Sequence, residues 1–218
     1  MKVLITGALS NLGLEIARVF HEHGFKIYGT SRKERAFEYG KILPLDFSCP
    51  DYSVLDEIEE CDVLVNNAGI FTEGKTGSLS AEDFDSVIDV NIKGLYHVTE
   101  KMLPLLKKSN GSIVNISSMN AMHPGFGLTS HYDGSKGFVS SFTKSLASET
   151  GLRVNAVCPG LIRAPRLEGT ELEKFFSSHS VRKQMMEAEE IANLVYFLAV
   201  SQGIYGQSII IDNGYSLL

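Results

Sequence analysis

The segment Lys2-Val3-Leu4-Ile5-Thr6-Gly7-Ala8-Leu9-Ser10-Asn11-Leu12-Gly13 reads as a buried strand, a glycine turn and the start of a helix. Val3, Leu4 and Ile5 make an unbroken apolar run, as expected for a strand covered on both faces. Gly7 permits a tight turn, and Gly13 permits close helix–strand packing. A helical period then runs over residues 12–23. Such a turn aims backbone N–H groups at an anion, and the helix N-terminus adds roughly half a positive charge. Gly7, Ser10, Asn11, Leu12 and Gly13 are therefore candidates to cradle a pyrophosphate. A plain strand-to-helix turn can also contain such a glycine pair.

Outward from this unit, the same alternation repeats. Strand-like runs lie at 2–6, 25–30, 42–45, 63–66, 112–117, 153–158 and 207–211, with amphipathic stretches at 12–23, 52–59, 81–108, 132–150 and 188–200. Strands alternating with helices predict a doubly wound α/β domain with a mainly parallel, seven-stranded sheet and right-handed crossovers. No repeat or linker divides the chain, so one domain is expected over 1–218. Pro104 should kink its helix, because it lacks an N–H donor. Residues 167–186 lack a clean period and are expected to form a mobile, partly helical insertion rather than core.

With 218 residues, the chain can bury a sizeable core without staples. A net charge of −6 with no long basic run argues against a nucleic-acid partner. Cys49, Cys61 and Cys158 form no CxxC pair, so neither a metal site nor a disulfide framework is expected. A reducing, cytoplasmic setting follows. Val3-Leu4-Ile5 is too short for a signal peptide, and no apolar run approaches the ~20 residues that span a bilayer.

Two further patterns carry chemistry. Strand two ends in Gly29-Thr30-Ser31-Arg32, with no acidic residue to grip a ribose 2′-OH. Ser31 can donate to a phosphate and Arg32 offers a charged fork for one, which favours NADP(H) over NAD(H). A solvated helix start is the plainer reading of Arg32-Lys33-Glu34-Arg35. Then Tyr132-Asp133-Gly134-Ser135-Lys136 places a phenol and an ammonium on one helix face. A cation there is expected to pull the tyrosine below its ordinary pKa of roughly 10. The pair could then exchange a proton with a carbonyl or an alcohol.

Together these residues resemble the short-chain dehydrogenase/reductase family in its classical form, from Lys2 to Gly214. The segment from Thr6 to Gly13 resembles the family's TGxxxGxG loop, and Asn66-Asn67-Ala68-Gly69 its NNAG motif. Asp89-Val90-Asn91, Ile116-Ser117-Ser118, Tyr132 with Lys136, Pro159-Gly160 and the tail from Gly206-Gln207 to Asp212-Asn213-Gly214 follow in the family's order. The resemblance implies a Rossmann fold and hydride transfer between a nicotinamide and a carbonyl or secondary alcohol. It makes Tyr132 the general acid/base and has Lys136 lower its pKa and hold the nicotinamide ribose. Ser118 would bond the substrate oxygen, and Asn91 would hold a water. Asp46 and Phe47 would flank the adenine, Asn67, Ala68 and Gly69 would line the adenosine side, and the backbone near Pro159, Gly160 and Ile162 would meet the carboxamide. Taken singly, Asn91 reads as a helix N-cap, Asp46 as a turn residue and Ser118 as an ordinary strand-end hydroxyl.

Departures from the pattern matter. Asn11 replaces the middle glycine of the loop, where Asn tolerates left-handed backbone. Ala164 replaces a threonine, and Asn213 a glycine. The stretch between Ser118 and Tyr132 is one residue longer than usual, which makes Ser117 a rival for the catalytic serine. The chain is short for the family between strands two and four and after Pro159-Gly160, which should trim the adenine side and shrink the lid around 163–186.

Substrate walls are expected from Met119, Met122, Phe126, Leu128, Leu167, Phe175, Phe176, Met185 and Met186, favouring an apolar substrate body. His123 and His131 read as surface or satisfied histidines, and Arg163, Arg166, Arg182 and Lys183 as solvated lid charge. In similar proteins the helices at 92–108 and 132–150 pair across two-fold axes, so a homotetramer, or else a homodimer, is expected. The expected activity is NADP(H)-dependent carbonyl reduction, close to 3-oxoacyl reductases. The alternatives are a non-catalytic NADP(H)-sensing regulatory protein and an epimerase or dehydratase on the same fold.

Overall fold

The computed structural model describes residues 1–125 and 127–218. Seven strands are β1 (Lys2–Ile5), β2 (Lys26–Ser31), β3 (Gly40–Pro44), β4 (Val63–Asn66), β5 (Ser112–Ile116), β6 (Arg153–Pro159) and β7 (Ser208–Ile211). They form one sheet in the order β3-β2-β1-β4-β5-β6-β7, and every neighbouring pair is parallel. The chain therefore winds outward from β1 in one direction and from β4 in the other. That reversal opens a crevice at the carboxyl ends of β1 and β4, where ligands bind in such sheets.

Alternation along each strand supplies two cores. On one face Val3, Ile5, Ile27, Val65 and Val157 pack under α1 (Asn11–Glu22) and α6 (Ala188–Val200), through Ile16, Phe20, Ile191 and Val195. On the other, Leu4, Leu43, Leu64, Ile113 and Val154 meet Val98, Met102 and Leu106 of α3 (Leu95–Ser109) and Leu146 of α4 (Ser130–Thr150). Each such side chain contributes about 1.5–3 kcal/mol when it leaves water. Among the described residues no helix is long and apolar enough to cross a membrane.

Several expectations are corrected. The stretch at 81–108 is not one regular helix: α2 (Ala81–Ile88) passes through a π-helical turn, Asp89–Gly94, before α3 begins. Pro104 lies inside α3, which continues through it. The stretch at 52–59 yields only a 3₁₀ turn, Tyr52–Glu57, capped by Asp51. So short a segment cannot recover the cost of nucleating an α-helix. The lid contains α5 (Glu171–His179), and Phe176, Met185 and Met186 are buried core. A parallel bridge between Ile162 and Met186 ties the lid's end to its beginning. The lid shows no clean period because so short an amphipathic helix gives few repeats.

Candidate active site

The glycine loop is held from three sides. Gly7 takes φ +63°, the left-handed turn expected of it. Thr30 at the end of β2 accepts the Gly7 amide on its hydroxyl (3.2 Å) and the Ala8 amide on its carbonyl (3.0 Å). After β4, the Asn67 amide group donates to the carbonyls of Thr6 (2.9 Å) and Gly7 (3.1 Å), while the Thr6 hydroxyl accepts from the Ala68 amide (2.9 Å). Ser10 caps α1 by accepting from the Gly13 amide (3.0 Å). The first-turn amides of Asn11 and Leu12 have no intrahelical acceptor to reach and suit an external anion.

Gly13 has no room for a side chain: a Cβ there would lie 2.3 Å from the Gly7 carbonyl oxygen and 2.9 Å from Ala8 Cα. Gly13→Ala is therefore expected to destabilise the fold by about 1–3 kcal/mol and to weaken dinucleotide binding together with it. Urea unfolding and a dinucleotide titration check this; an unchanged midpoint would show that the turn relaxes freely.

Asn11 corrects an expectation. Its backbone is helical, not left-handed, and its side-chain amide donates to the Arg163 carbonyl (2.8 Å) across the cleft. Asn213, by contrast, is left-handed, at φ +56° in place of the family's glycine. Its amide group donates to the carbonyls of Gln184 (2.9 Å) and Met185 (3.2 Å), pinning the lid's end to the tail.

Where the adenosine is expected, Ser31 closes β2, Arg32 follows it, and Asp46 follows β3. Asp46 accepts the amide (3.0 Å) and hydroxyl (2.8 Å) of Ser48, so it takes the part of a turn residue. Those bonds hold its carboxyl below the usual range, with help from the charge of Arg32. Phe47 packs its ring over Gly94, where a Cβ would come within 2.6 Å of it. Its ring is thus packed in part against the π-helical turn and stays partly accessible.

Where the carboxamide is expected, Pro159 closes β6 and the Gly160 amide donates to the Ile211 carbonyl (2.9 Å). A Cβ on Gly160 would strike Phe176 at 2.8 Å. Ile162 is held by its bridge to Met186. With Phe176, Met185 and Met186 sealed behind this loop, they cannot serve as substrate walls; Met119 is buried too. Phe126 lies outside the described residues.

The cluster around Tyr132 and Lys136 stands where α4 starts beside the end of β5. Ser118 hydrogen-bonds the Tyr132 phenol, and its own hydroxyl accepts from the Asn120 amide (3.2 Å). Asp133, next to Tyr132, clamps the intervening loop by accepting from Asn120 Nδ2 (2.8 Å), the Gly125 amide (3.0 Å) and Thr129 Oγ1 (3.1 Å). Ser117 is no rival: it is buried, donates to the Lys136 carbonyl (2.9 Å) and meets Ser140 (2.9 Å). Lys136, also buried, donates from Nζ to the Ile116 carbonyl (3.0 Å) and lies 5.7 Å from the Tyr132 ring centroid. Gly69 passes so close that a Cβ would be 3.2 Å from that nitrogen.

Asn91 is not an N-cap. It lies inside the π-helical turn, a common device at functional sites. It accepts from the Ile70 amide (2.9 Å) and donates to the Ile70 carbonyl (3.0 Å) and to Ser135 Oγ (3.0 Å). It thereby joins three elements around Lys136: the loop after β4, the π turn and α4.

The electrostatics reverse the simple expectation for the pair. Part of the Tyr132 side chain stays accessible, yet burial pushes the phenol up to about 12, and the Ser118 hydrogen bond only partly offsets this. Burial pushes Lys136 down to about 8. Desolvation disfavours both charged forms, so the protein alone holds a neutral phenol over a reluctant cation. A neutral phenol of this kind can donate a proton.

Comparisons with known proteins agree with this geometry. A family profile described as enoyl-(acyl carrier protein) reductase matches residues 52–216. The 3-oxoacyl-(acyl-carrier-protein) reductase FabG of Thermotoga maritima is 35% identical, over 97% of this chain and 96% of that protein. The 2-(R)-hydroxypropyl-CoM dehydrogenase of Xanthobacter autotrophicus is 31% identical, over 99% and 98%. Among solved structures, the aldohexose dehydrogenase of Thermoplasma acidophilum superposes with a TM-score of 0.91 at 31% identity, covering 100% of this chain and 94% of that one.

Proposed function

Because this chain belongs to the short-chain dehydrogenase/reductase family, we propose that it is an NADP(H)-dependent reductase of carbonyl compounds. The observation that carries the reading is the geometry: the Tyr132 phenol stands beside Ser118, with the buried Lys136 Nζ 5.7 Å from its ring centroid and anchored on the Ile116 carbonyl. A bound nicotinamide would supply the hydride. Tyr132 donates the proton to the carbonyl oxygen, and Ser118 bonds that oxygen as negative charge grows on it. Lys136 and the glycine-loop amides hold the dinucleotide, and Asn91 keeps the lysine's surroundings in register. The likeness to a 3-oxoacyl reductase supports the reductive direction and an acyl-type substrate. NADPH oxidation against a panel of carbonyl compounds tests the reading; binding without turnover of any of them would favour a nucleotide sensor instead.

Cofactor choice rests on Arg32, which is exposed beside Asp46 at the end of β2. No acidic residue ends that strand to compete for a ribose hydroxyl. Arg32→Ala is expected to weaken NADPH by about 10-fold or more, since a charge-assisted phosphate bond is worth about 1.5–3 kcal/mol, and to leave NADH nearly unchanged. Parallel titrations with both dinucleotides check it; equal losses would remove Arg32 as the phosphate reader. For assembly, a homotetramer, or else a homodimer, is our proposal. Tyr96 on α3 is 44% exposed and its ring lies 6.0 Å from that of Phe142 of α4, so it offers an apolar group on that pair of helices.

A further inference from the structure

We propose that Phe71 is a specificity-determining wall of the substrate site, and that the substrate carries an apolar group beside its reacting carbonyl. The inference rests on the reductase reading above and names the class of substrate for it. The Phe71 ring stands edge-on to Tyr132, with centroids 4.9 Å apart and planes at 81°. It is nevertheless 41% exposed, so a large apolar surface adjoins the proton donor and faces open space.

This exposure is built in. Residue 71 follows the loop after β4, and its backbone is gripped on both sides. Asn91 makes two hydrogen bonds to the backbone of Ile70, at 2.9 and 3.0 Å. On the other side, His131 Nε2 meets Thr72 at its hydroxyl (2.9 Å) and its carbonyl (3.1 Å). One clamp comes from the π-helical turn and the other from the residue preceding Tyr132. These bonds fix the path of the backbone on either side of Phe71, and with it the direction from which the ring enters the site. Leaving such a surface wet is unfavourable unless a ligand covers it. A polyhydroxylated carbonyl would press hydroxyls against the Phe71 ring without hydrogen-bond partners, and that is disfavoured. An acyl chain or an aryl group would cover it.

The test compares kcat/KM with NADPH for apolar carbonyls, such as 1-phenyl-1,2-propanedione and a short 3-oxoacyl thioester, against aldohexoses and dihydroxyacetone. Wild type is expected to favour the apolar set. Phe71→Ala should lower the apolar-to-polar ratio by about 10–100-fold, the scale on which apolar pocket contacts discriminate, while NADPH affinity holds. Phe71→Leu should recover most of the ratio. If Phe71→Ala reduces carbonyls with the wild-type ratio, or wild type prefers the polyhydroxylated set, the inference fails and the reductase reading stands. If wild type reduces none of the panel, both fall.

Discussion

Tyr132→Phe is expected to lower kcat/KM for carbonyl reduction by about 10²–10⁴-fold, the usual contribution of a positioned general acid. The fold should be nearly indifferent. Phe retains the ring that packs against Phe71, and Ser118 keeps its bond from the Asn120 amide. Dinucleotide affinity should also hold, because the glycine loop is braced by Asn67, Thr6 and Thr30 rather than by the phenol. Single-turnover measurement of hydride transfer, set beside a dinucleotide titration, separates these effects. Turnover that survives the substitution at the wild-type rate would remove Tyr132 from the chemistry. The reaction should also be asymmetric in direction. With the phenol pushed up to about 12, the protonated form that reduction needs is present throughout the neutral range. Alcohol oxidation needs the phenolate and should gain as pH rises.

Much of this site is legible in the sequence because backbone requirements leave marks. Gly7 and Gly13 occupy positions where a Cβ is strained or has no room. Tyr132 and Lys136 are one helical turn apart, so spacing alone aligns them. What escapes depends on contacts between distant segments. Phe71 carries no periodic or motif signal, and its role emerges only where Asn91 and His131 close on the residues beside it. Asp133 lies inside the Tyr–Lys motif, yet its clamp on Asn120, Gly125 and Thr129 requires the loop's path to be known. The tyrosine's pKa runs against the sequence-based expectation for a related reason. Sequence shows which charges are near, but not how far burial disfavours each charged form, and here desolvation is the largest cause of both shifts.

That burial makes Lys136 costly to keep, and Lys136→Met should expose the cost. Burial lowers its pKa from 10.5 to about 8, and among the described residues no anion compensates: burial also pushes up both the Cys158 thiol and the Tyr132 phenol, so both stay neutral near pH 7. The folded state therefore binds this proton less tightly than the unfolded chain does. Stability is greatest above the unfolded pKa, falls as pH drops toward about 8, and levels off below it. At neutral pH the charged lysine costs up to ~3 kcal/mol. Methionine keeps the apolar stem without the charge, although the Ile116 carbonyl loses its donor at a cost of about 1 kcal/mol. The variant is thus expected to be about 1–2 kcal/mol more stable at pH 7, an advantage that disappears above about pH 10, while carbonyl reduction falls by about 10²-fold or more. Urea unfolding at pH 7 and pH 10 measures the first part and NADPH turnover the second. A Lys136→Met variant less stable than wild type at pH 7, or equally favoured at both pH values, would mean that interactions other than those described offset the cost of the buried ammonium.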